Sequence, residues 1–204
     1  MQSKTKPLTG MRVAILATNN FEQVELTEPR KALEQAGAET VLISNKPGQV
    51  QGVNNDDAKA DRFPVQLTLE QAKPSDFDGV LLPGGTINAD TIRMNEKARE
   101  FVQQIDKSGR PLVAICHAPW LLVSAGLVKG RKLTSYYSIQ DDVRNAGGNW
   151  IDQEFVRDGN LATSRSPQDL QAFNSGIVNL FAEYKQKGVL GKATAASAQD
   201  VISR

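Results

Sequence analysis

The chain holds one cysteine, Cys116, and one histidine, His117, among its 204 residues. A lone cysteine cannot close an internal disulfide, which excludes a disulfide-stapled secreted fold. One cysteine and one histidine are too few for a zinc cluster of the usual kind. No histidine follows His117, so a Cys-His-Glu amidotransferase triad, whose histidine lies far downstream of its cysteine, is excluded as well. The sequence has no Gly-Lys-Thr/Ser phosphate loop. It has no apolar run approaching the roughly 20 residues of a membrane helix, and no segment of signal-peptide character in polar residues 1–10. An excess of charge of one sign is also missing: 24 Lys and Arg against 23 Asp and Glu leave a net +1. That balance gives no electrostatic case for nucleic acid or an anionic membrane. The densest basic cluster, Lys129-Gly130-Arg131-Lys132, reads as a solvated turn. The expectation is a cytoplasmic protein with no metal and no cofactor, whose ordinary 40% hydrophobic and 23% charged content suits one domain with a sizeable core.

What is present is organised around Pro111-Leu112-Val113-Ala114-Ile115-Cys116-His117-Ala118-Pro119-Trp120. A buried-strand pattern, Leu112 to Ile115, stops at the cysteine, and helix-like sequence from Trp120 follows at once. Such a strand-to-helix elbow holds the residue at the bend in a strained conformation with its side chain lifted above the sheet. Small residues are needed two positions to either side, and Ala114 and Ala118 supply them. The following helix N-terminus is expected to lower the Cys116 pKa and favour thiolate.

The rest of the chain alternates strand and helix. Strands are expected at Met11 to Ala17, Thr40 to Ser44, Val80 to Pro83 and Lys132 to Ser135. Helices are expected around Leu26 to Ala36, Asn95 to Lys107, Trp120 to Ala125, Ile139 to Asn145, and after Ser166-Pro167 with Leu170, Phe173, Ile177, Leu180 and Phe181 inward. Polar 45–63 suits an excursion with a small hairpin, and Asp158-Gly159-Asn160 suits a hairpin turn between 154–157 and 161–164. The division expected is a flexible N-terminus over 1–10, one α/β domain over 11–187, and a tail or loosely docked helix over 188–204. Alternation of this kind implies a mostly parallel sheet with ligands at the carboxyl ends of its strands. Three loops would meet there: one with Glu22 and Glu25, one with Gly84-Gly85 followed by Thr86, Asn88 and Asp90, and the Cys116 elbow.

A nucleophilic thiol needs a base, a group to orient that base, and donors for a developing oxyanion. His117 is the candidate base, although adjacent residues of a helix do not face one another. Glu22 or Glu25 could hydrogen-bond the thiol, Asp90 could orient His117, and the Gly85 and His117 N–H groups are candidate donors.

Five motifs stand in order along the chain: 21–26 (Phe-Glu-Gln-Val-Glu-Leu), Leu82-Pro83-Gly84-Gly85, Ala114-Ile115-Cys116-His117, 124–136 ending in Thr134-Ser135-Tyr136, and 158–165 ending in Thr163-Ser164-Arg165. Together they resemble the ThiJ/PfpI superfamily, nearest its PfpI-type intracellular cysteine hydrolases. The resemblance spans about residues 11–185. It implies a flavodoxin-like three-layer sandwich with a nucleophile elbow, assembled as homodimers or higher homo-oligomers. It places the nucleophile on Cys116, the adjacent histidine on His117, the elbow-contacting glutamate on Glu25 and the triad acid, given by a neighbouring subunit, on Asp90. Tyr136 falls on a pocket tyrosine and Arg165 on a residue at the pocket edge. Where the family has glycine after the histidine, this chain has Ala118, followed by Pro119-Trp120. The activity this implies is cysteine-dependent action on reactive dicarbonyls or glycated adducts, of glyoxalase or deglycase type. The alternatives are a cysteine peptidase or amidase, and, in another class, a redox sensor or chaperone-like protein in which Cys116 oxidises beside a protonated Glu25.

Overall fold

A computed structural model describes the backbone of residues 6–202 and the side chains of residues 6–188. Its strands are β1 (Arg12–Leu16), β2 (Phe21–Glu22), β3 (Glu39–Ser44), β4 (Gln49–Asn54), β5 (Ala58–Pro64), β6 (Leu67–Thr68), β7 (Gly79–Leu82), β8 (Leu112–Ile115), β9 (Lys132–Leu133), β10 (Asn149–Trp150), β11 (Val156–Asp158) and β12 (Leu161–Ser164). Its α-helices are α1 (Gln23–Gln35), α2 (Thr86–Arg93), α3 (Glu96–Lys107), α4 (Pro119–Ser124), α5 (Gln140–Asn145) and α6 (Leu170–Ile202). The expected tail or docked helix over 188–204 continues α6 as helical backbone to Ile202; its side chains from residue 189, residues 203–204, and residues 1–5 of the expected flexible N-terminus lie outside the described residues. Residues 6–10 form a turn that buries Leu8 completely and accepts two hydrogen bonds from Lys185 Nζ, at Pro7 O and Thr9 O.

Seven strands make the central sheet in the order β11-β12-β8-β7-β1-β3-β6, all parallel except β11, which pairs antiparallel with β12. Side chains of a strand alternate between faces, and here both faces are covered. Ala14, Leu16, Val80, Leu82, Leu112 and Ala114 pack against Phe101, Val102 and Ile105 of α3 and Leu121 and Leu122 of α4. Val13, Ile15, Leu42, Leu81, Val113 and Ile115 pack against Leu26 and Leu33 of α1 and Phe173, Ile177 and Phe181 of α6. This is the flavodoxin-like sandwich, and it explains why these strands read as continuous apolar runs: neither face meets water.

The chain leaves β1 for β3 on one side and returns to β7 on the other. The loops after β1 and β7 therefore part company, and the crevice between them lies at the carboxyl ends of the strands, beside the end of β8. The excursion over 45–63 is the hairpin β4–β5, joined to β2 in a separate three-stranded sheet that folds over this crevice. Buried Asn88 binds the two loops together. Its Oδ1 accepts from Thr18 N (2.7 Å) and its Nδ2 donates to Gly84 O (2.8 Å).

Two readings require correction. The segment after Gly84-Gly85, expected as a loop, is helix α2. The Lys129–Lys132 turn is not simply solvated: Arg131 bridges Asp106 (2.7 Å) and the Asp158 carbonyl (2.7 Å), fastening this turn to α3 and to the β11–β12 hairpin.

Candidate active site

Cys116 has φ of 62°, a left-handed conformation that a residue with a Cβ seldom adopts. Its backbone is held from both sides, with Cys116 N donating to Ser164 O (3.0 Å) and Tyr136 N donating to Cys116 O (2.8 Å). Neighbouring strand and loop thus over-determine the bend, as a nucleophile elbow requires. His117 precedes α4 rather than lying within it. The strained residue before it turns the two side chains together, so that Nδ1 lies 3.2 Å from Cys116 Sγ. The ring's Nε2 faces Ser138 Oγ (3.2 Å), and its faces meet Tyr136 (centroids 4.6 Å apart) and Trp120 (5.6 Å). Trp120 in turn carries the Arg93 guanidinium at 5.2 Å.

Glu25, in the first turn of α1, is fully buried. Its Oε2 accepts from Gly84 N (2.8 Å), and its Oε1 has no hydrogen-bond partner. Burial raises its pKa to about 8, against the opposing pull of the Gly84 N–H and the adjacent Cys116 thiol. Glu25 therefore holds its proton at neutral pH, and opposes thiolate formation by its charge only where it ionises. Only glycine fits at 84: a Cβ there would strike Glu25 Oε2 and come within 2.7 Å of Cys116 Cβ. Gly85 has φ of 85°, and a Cβ there would meet Glu22 N at 2.7 Å.

The thiol departs from expectation. Its pKa is raised well above its ordinary value, first by burial and then by the charge Glu25 would carry. The Gly85 and His117 N–H groups pull it down but do not prevail. The sequence exposes a helix start and hides the 5% exposure of the sulfur-bearing residue. Burial outweighs the partial charge at the start of a six-residue helix. The resting cysteine is therefore a thiol, and to act as a nucleophile it would have to pass its proton to a neighbour. His117 can take it, because burial lowers the imidazole pKa and keeps the ring neutral.

The other expected residues separate into two groups. Glu22, Glu25, Cys116 and Tyr136 line one cleft of about 460 Å³, together with Asn54, Asn55, Asp56 and Ser166–Gln168. Glu22 does not reach the thiol: its carboxylate accepts from Asn55 N (3.2 Å) and Asp56 N (3.1 Å) and so shapes the β4–β5 turn. Arg165 is occupied, with Asp169 held by two side-chain hydrogen bonds of 2.8 Å and Asp152 by a third of 2.8 Å. Asp90 lies on an exposed face of α2 and makes no hydrogen bond to His117. Reasoning from sequence missed Asp56 and Ser138 and gave no role to Thr86, which it placed in the Gly84-Gly85 loop. The Thr86 hydroxyl donates to Asp56 Oδ2 (2.9 Å) and lies 3.4 Å from both ring nitrogens of His117.

No group of three or more potential metal-ligating side chains occurs among the described residues. Among them, too, no helix is long and apolar enough to cross a membrane.

The fold is a doubly wound α/β sheet with a buried cysteine at a strained elbow, a histidine against its sulfur and a protonated glutamate beside it. Residues 11–180 match the DJ-1/PfpI family. Deglycase PfpI of Pyrococcus furiosus is 42% identical over 170 residues, covering 83% of this chain and 99% of that protein. YraA of Bacillus subtilis, named as a proposed cysteine protease, is 39% identical over 170 residues, covering 83% and 97%. Among solved structures, a two-domain Anabaena variabilis protein with DJ-1/ThiJ/PfpI-like and ferritin-like domains superposes with a TM-score of 0.78 at 33% identity, covering 83% of this chain and 47% of that one. Drosophila melanogaster DJ-1beta gives 0.76 at 28% identity, covering 88% and 97%. The chain belongs to the DJ-1/PfpI family.

Proposed function

We propose that the protein is a cysteine-dependent enzyme acting on reactive 2-oxoaldehydes or the adducts they form with amines, with Cys116 as nucleophile. The observation that carries this reading is the arrangement around the sulfur: a neutral imidazole 3.2 Å away and a carboxyl that keeps its proton to about pH 8. His117 Nδ1 takes the thiol proton as sulfur attacks the aldehyde carbon. The C–S bond forms, the carbonyl electron pair moves to oxygen, and the Gly85 and His117 N–H groups stabilise that oxygen until Glu25 protonates it, giving a hemithioacetal. Removal of the proton on that carbon and its return at the neighbouring carbon converts the hemithioacetal to a 2-hydroxy thioester. Water then releases the hydroxy acid and the thiol. With an amine adduct, the amine leaves as the thiohemiacetal is formed.

The cleft lining suits this substrate class. It includes the carboxylates of Glu22 and Asp56 and, among the described residues, no lysine or arginine, so it favours neutral or cationic substrates over anionic ones. The name Deglycase PfpI, borne by a relative 42% identical, supports the adduct branch. The name of YraA supports a second reading, amide hydrolysis through an acyl thioester on Cys116.

The test compares three substrates at equal enzyme concentration: free methylglyoxal with lactate detection, a preformed glycated amine freed of excess aldehyde, and short peptide amides. Lactate from methylglyoxal, or amine release from the adduct, supports the proposal. Amine release from peptide amides alone overturns it in favour of the peptidase reading.

A further inference from the structure

His117 is only 4% exposed, and both of its ring nitrogens are engaged: Nδ1 lies 3.2 Å from Cys116 Sγ and Nε2 lies 3.2 Å from Ser138 Oγ. A neutral imidazole carries one N–H, so one nitrogen donates while the other accepts. Burial keeps the Cys116 thiol protonated at rest, and the line between Sγ and Nδ1 holds a single proton. With that proton on sulfur, Nδ1 is bare and accepts from the thiol. The ring proton then sits on Nε2 and is donated to Ser138 Oγ. The reverse arrangement, with Ser138 donating to Nε2, would put the ring proton on Nδ1 and close that nitrogen to the thiol proton.

The chain holds Ser138 in place for this contact. It is the middle residue of a single 3-10 turn, Tyr137–Ile139. Tyr136, just before the turn, donates its N–H to Cys116 O (2.8 Å) and lays its ring 4.6 Å from the imidazole. Ile139, at the far end, is buried. The turn is thus fastened to the elbow itself. Ser138 is exposed, and among the described residues its hydroxyl makes no other hydrogen bond, so the O–H is left to water.

We propose that Ser138 is a positioning residue for His117: by accepting from Nε2–H it selects the tautomer whose Nδ1 can take the Cys116 proton, and it joins the buried ring to solvent. When the thiol gives up its proton, the imidazolium carries an N–H on each nitrogen, one toward the thiolate and one toward Ser138. A cation is the stronger donor, so the bond to Ser138 tightens as the charge forms. The hydroxyl supplies orientation and no counter-charge, which distinguishes it from the role expected of Asp90. The titratable groups around the ring are Cys116, Glu25 of α1, Asp56 of the β4–β5 turn, and Tyr136 and Tyr137, while Arg93 of α2 reaches Trp120. The charge of Asp56 favours protonation of the ring, and a change at Ser138 leaves it in place.

The inference rests on Cys116 and His117 as nucleophile and base, but its test does not depend on the substrate. Iodoacetamide alkylates the single cysteine: the C–S bond forms, the C–I bond breaks with loss of iodide, and the thiol proton leaves through His117. His117 is the only histidine in the sequence, so its ring nitrogens give an unambiguous NMR signature of tautomer and titration. The neutral wild-type ring is expected as the Nε2–H tautomer. Ser138→Ala should move the His117 midpoint to lower pH. It should also slow alkylation at neutral pH, and kcat for the substrate turned over, by about threefold to tenfold with KM little changed. Ser138→Thr, which keeps the hydroxyl, should restore all three. An Nδ1–H tautomer in the wild type, or a wild-type midpoint and alkylation rate in Ser138→Ala, overturns the proposal. His117→Ala tests the reading beneath it: slowed alkylation supports His117 as the base, and an unchanged rate removes the base and the proposal with it. A shifted midpoint and slowed alkylation in an enzyme inert toward dicarbonyls uphold the role of Ser138 and remove only the proposed substrate.

Discussion

Replacing Glu25 by glutamine should make the protein more stable at neutral pH while abolishing its activity. In the unfolded chain Glu25 ionises near 4.5, whereas in the folded chain burial holds its proton to about 8. At about 1.4 kcal/mol per tenfold difference in proton affinity, that gap corresponds to an effect on the order of 5 kcal/mol. Between those two pH values the folded state keeps a proton that the unfolded state has released. Stability is therefore complete below pH 4.5, falls as pH rises, and levels off above about 8. At pH 7 this proton has cost the wild type roughly 3 kcal/mol, and the part of the whole loss that falls between about pH 6.5 and 8.5 is roughly 2 kcal/mol. That upper window is the clean one, because His117, with a pKa lowered by burial, acts in the opposite sense below its ordinary 6.5. Glutamine has no proton to hold and keeps an acceptor for Gly84 N–H. Denaturant unfolding of wild type and Glu25→Gln at several pH values in this window checks the argument. The reasoning fails if the variant shows the wild-type slope, or if wild-type stability rises with pH there.

Gly84→Ala should lower stability by about 1–3 kcal/mol and abolish turnover, because its methyl group would wedge between Glu25 and Cys116; thermal melts and activity report the two effects. Arg165→Ala should leave KM nearly unchanged, since the guanidinium is already bound, but should cost about 1–2 kcal/mol by leaving nearly buried Asp169 unpaired; steady-state kinetics and denaturant melts separate these outcomes. Among glycated amines, a cationic adduct should have a higher kcat/KM than an adduct bearing a carboxylate at the same place, and the difference should shrink with added salt.

The elbow and the sheet are legible in the sequence because both rest on local pattern: apolar runs that are buried on both faces, and one run that breaks at a cysteine with alanines to either side. α2 was not legible, because its capping group is not local. Gly85 has no side chain to offer Thr86 N, and the acceptor is Asp56, 30 residues earlier. The same long-range contact hides Asp56 from any reading of motifs, since the turn that aims it looks like an ordinary polar excursion. The proximity of Glu25 to Cys116 could be expected from family resemblance. The raised thiol pKa could not, because the helix start that argues for a low value is visible along the chain and the burial that outweighs it is visible only in three dimensions.

The central claim, that chemistry runs through the Cys116 thiol with Glu25 as its acid, is tested most directly by lactate formation from methylglyoxal in wild type, Cys116→Ser and Glu25→Gln at equal concentration, with folding verified by circular dichroism. Turnover in the wild type and its loss in both folded variants is the predicted result. Undiminished turnover in folded Cys116→Ser would contradict the account.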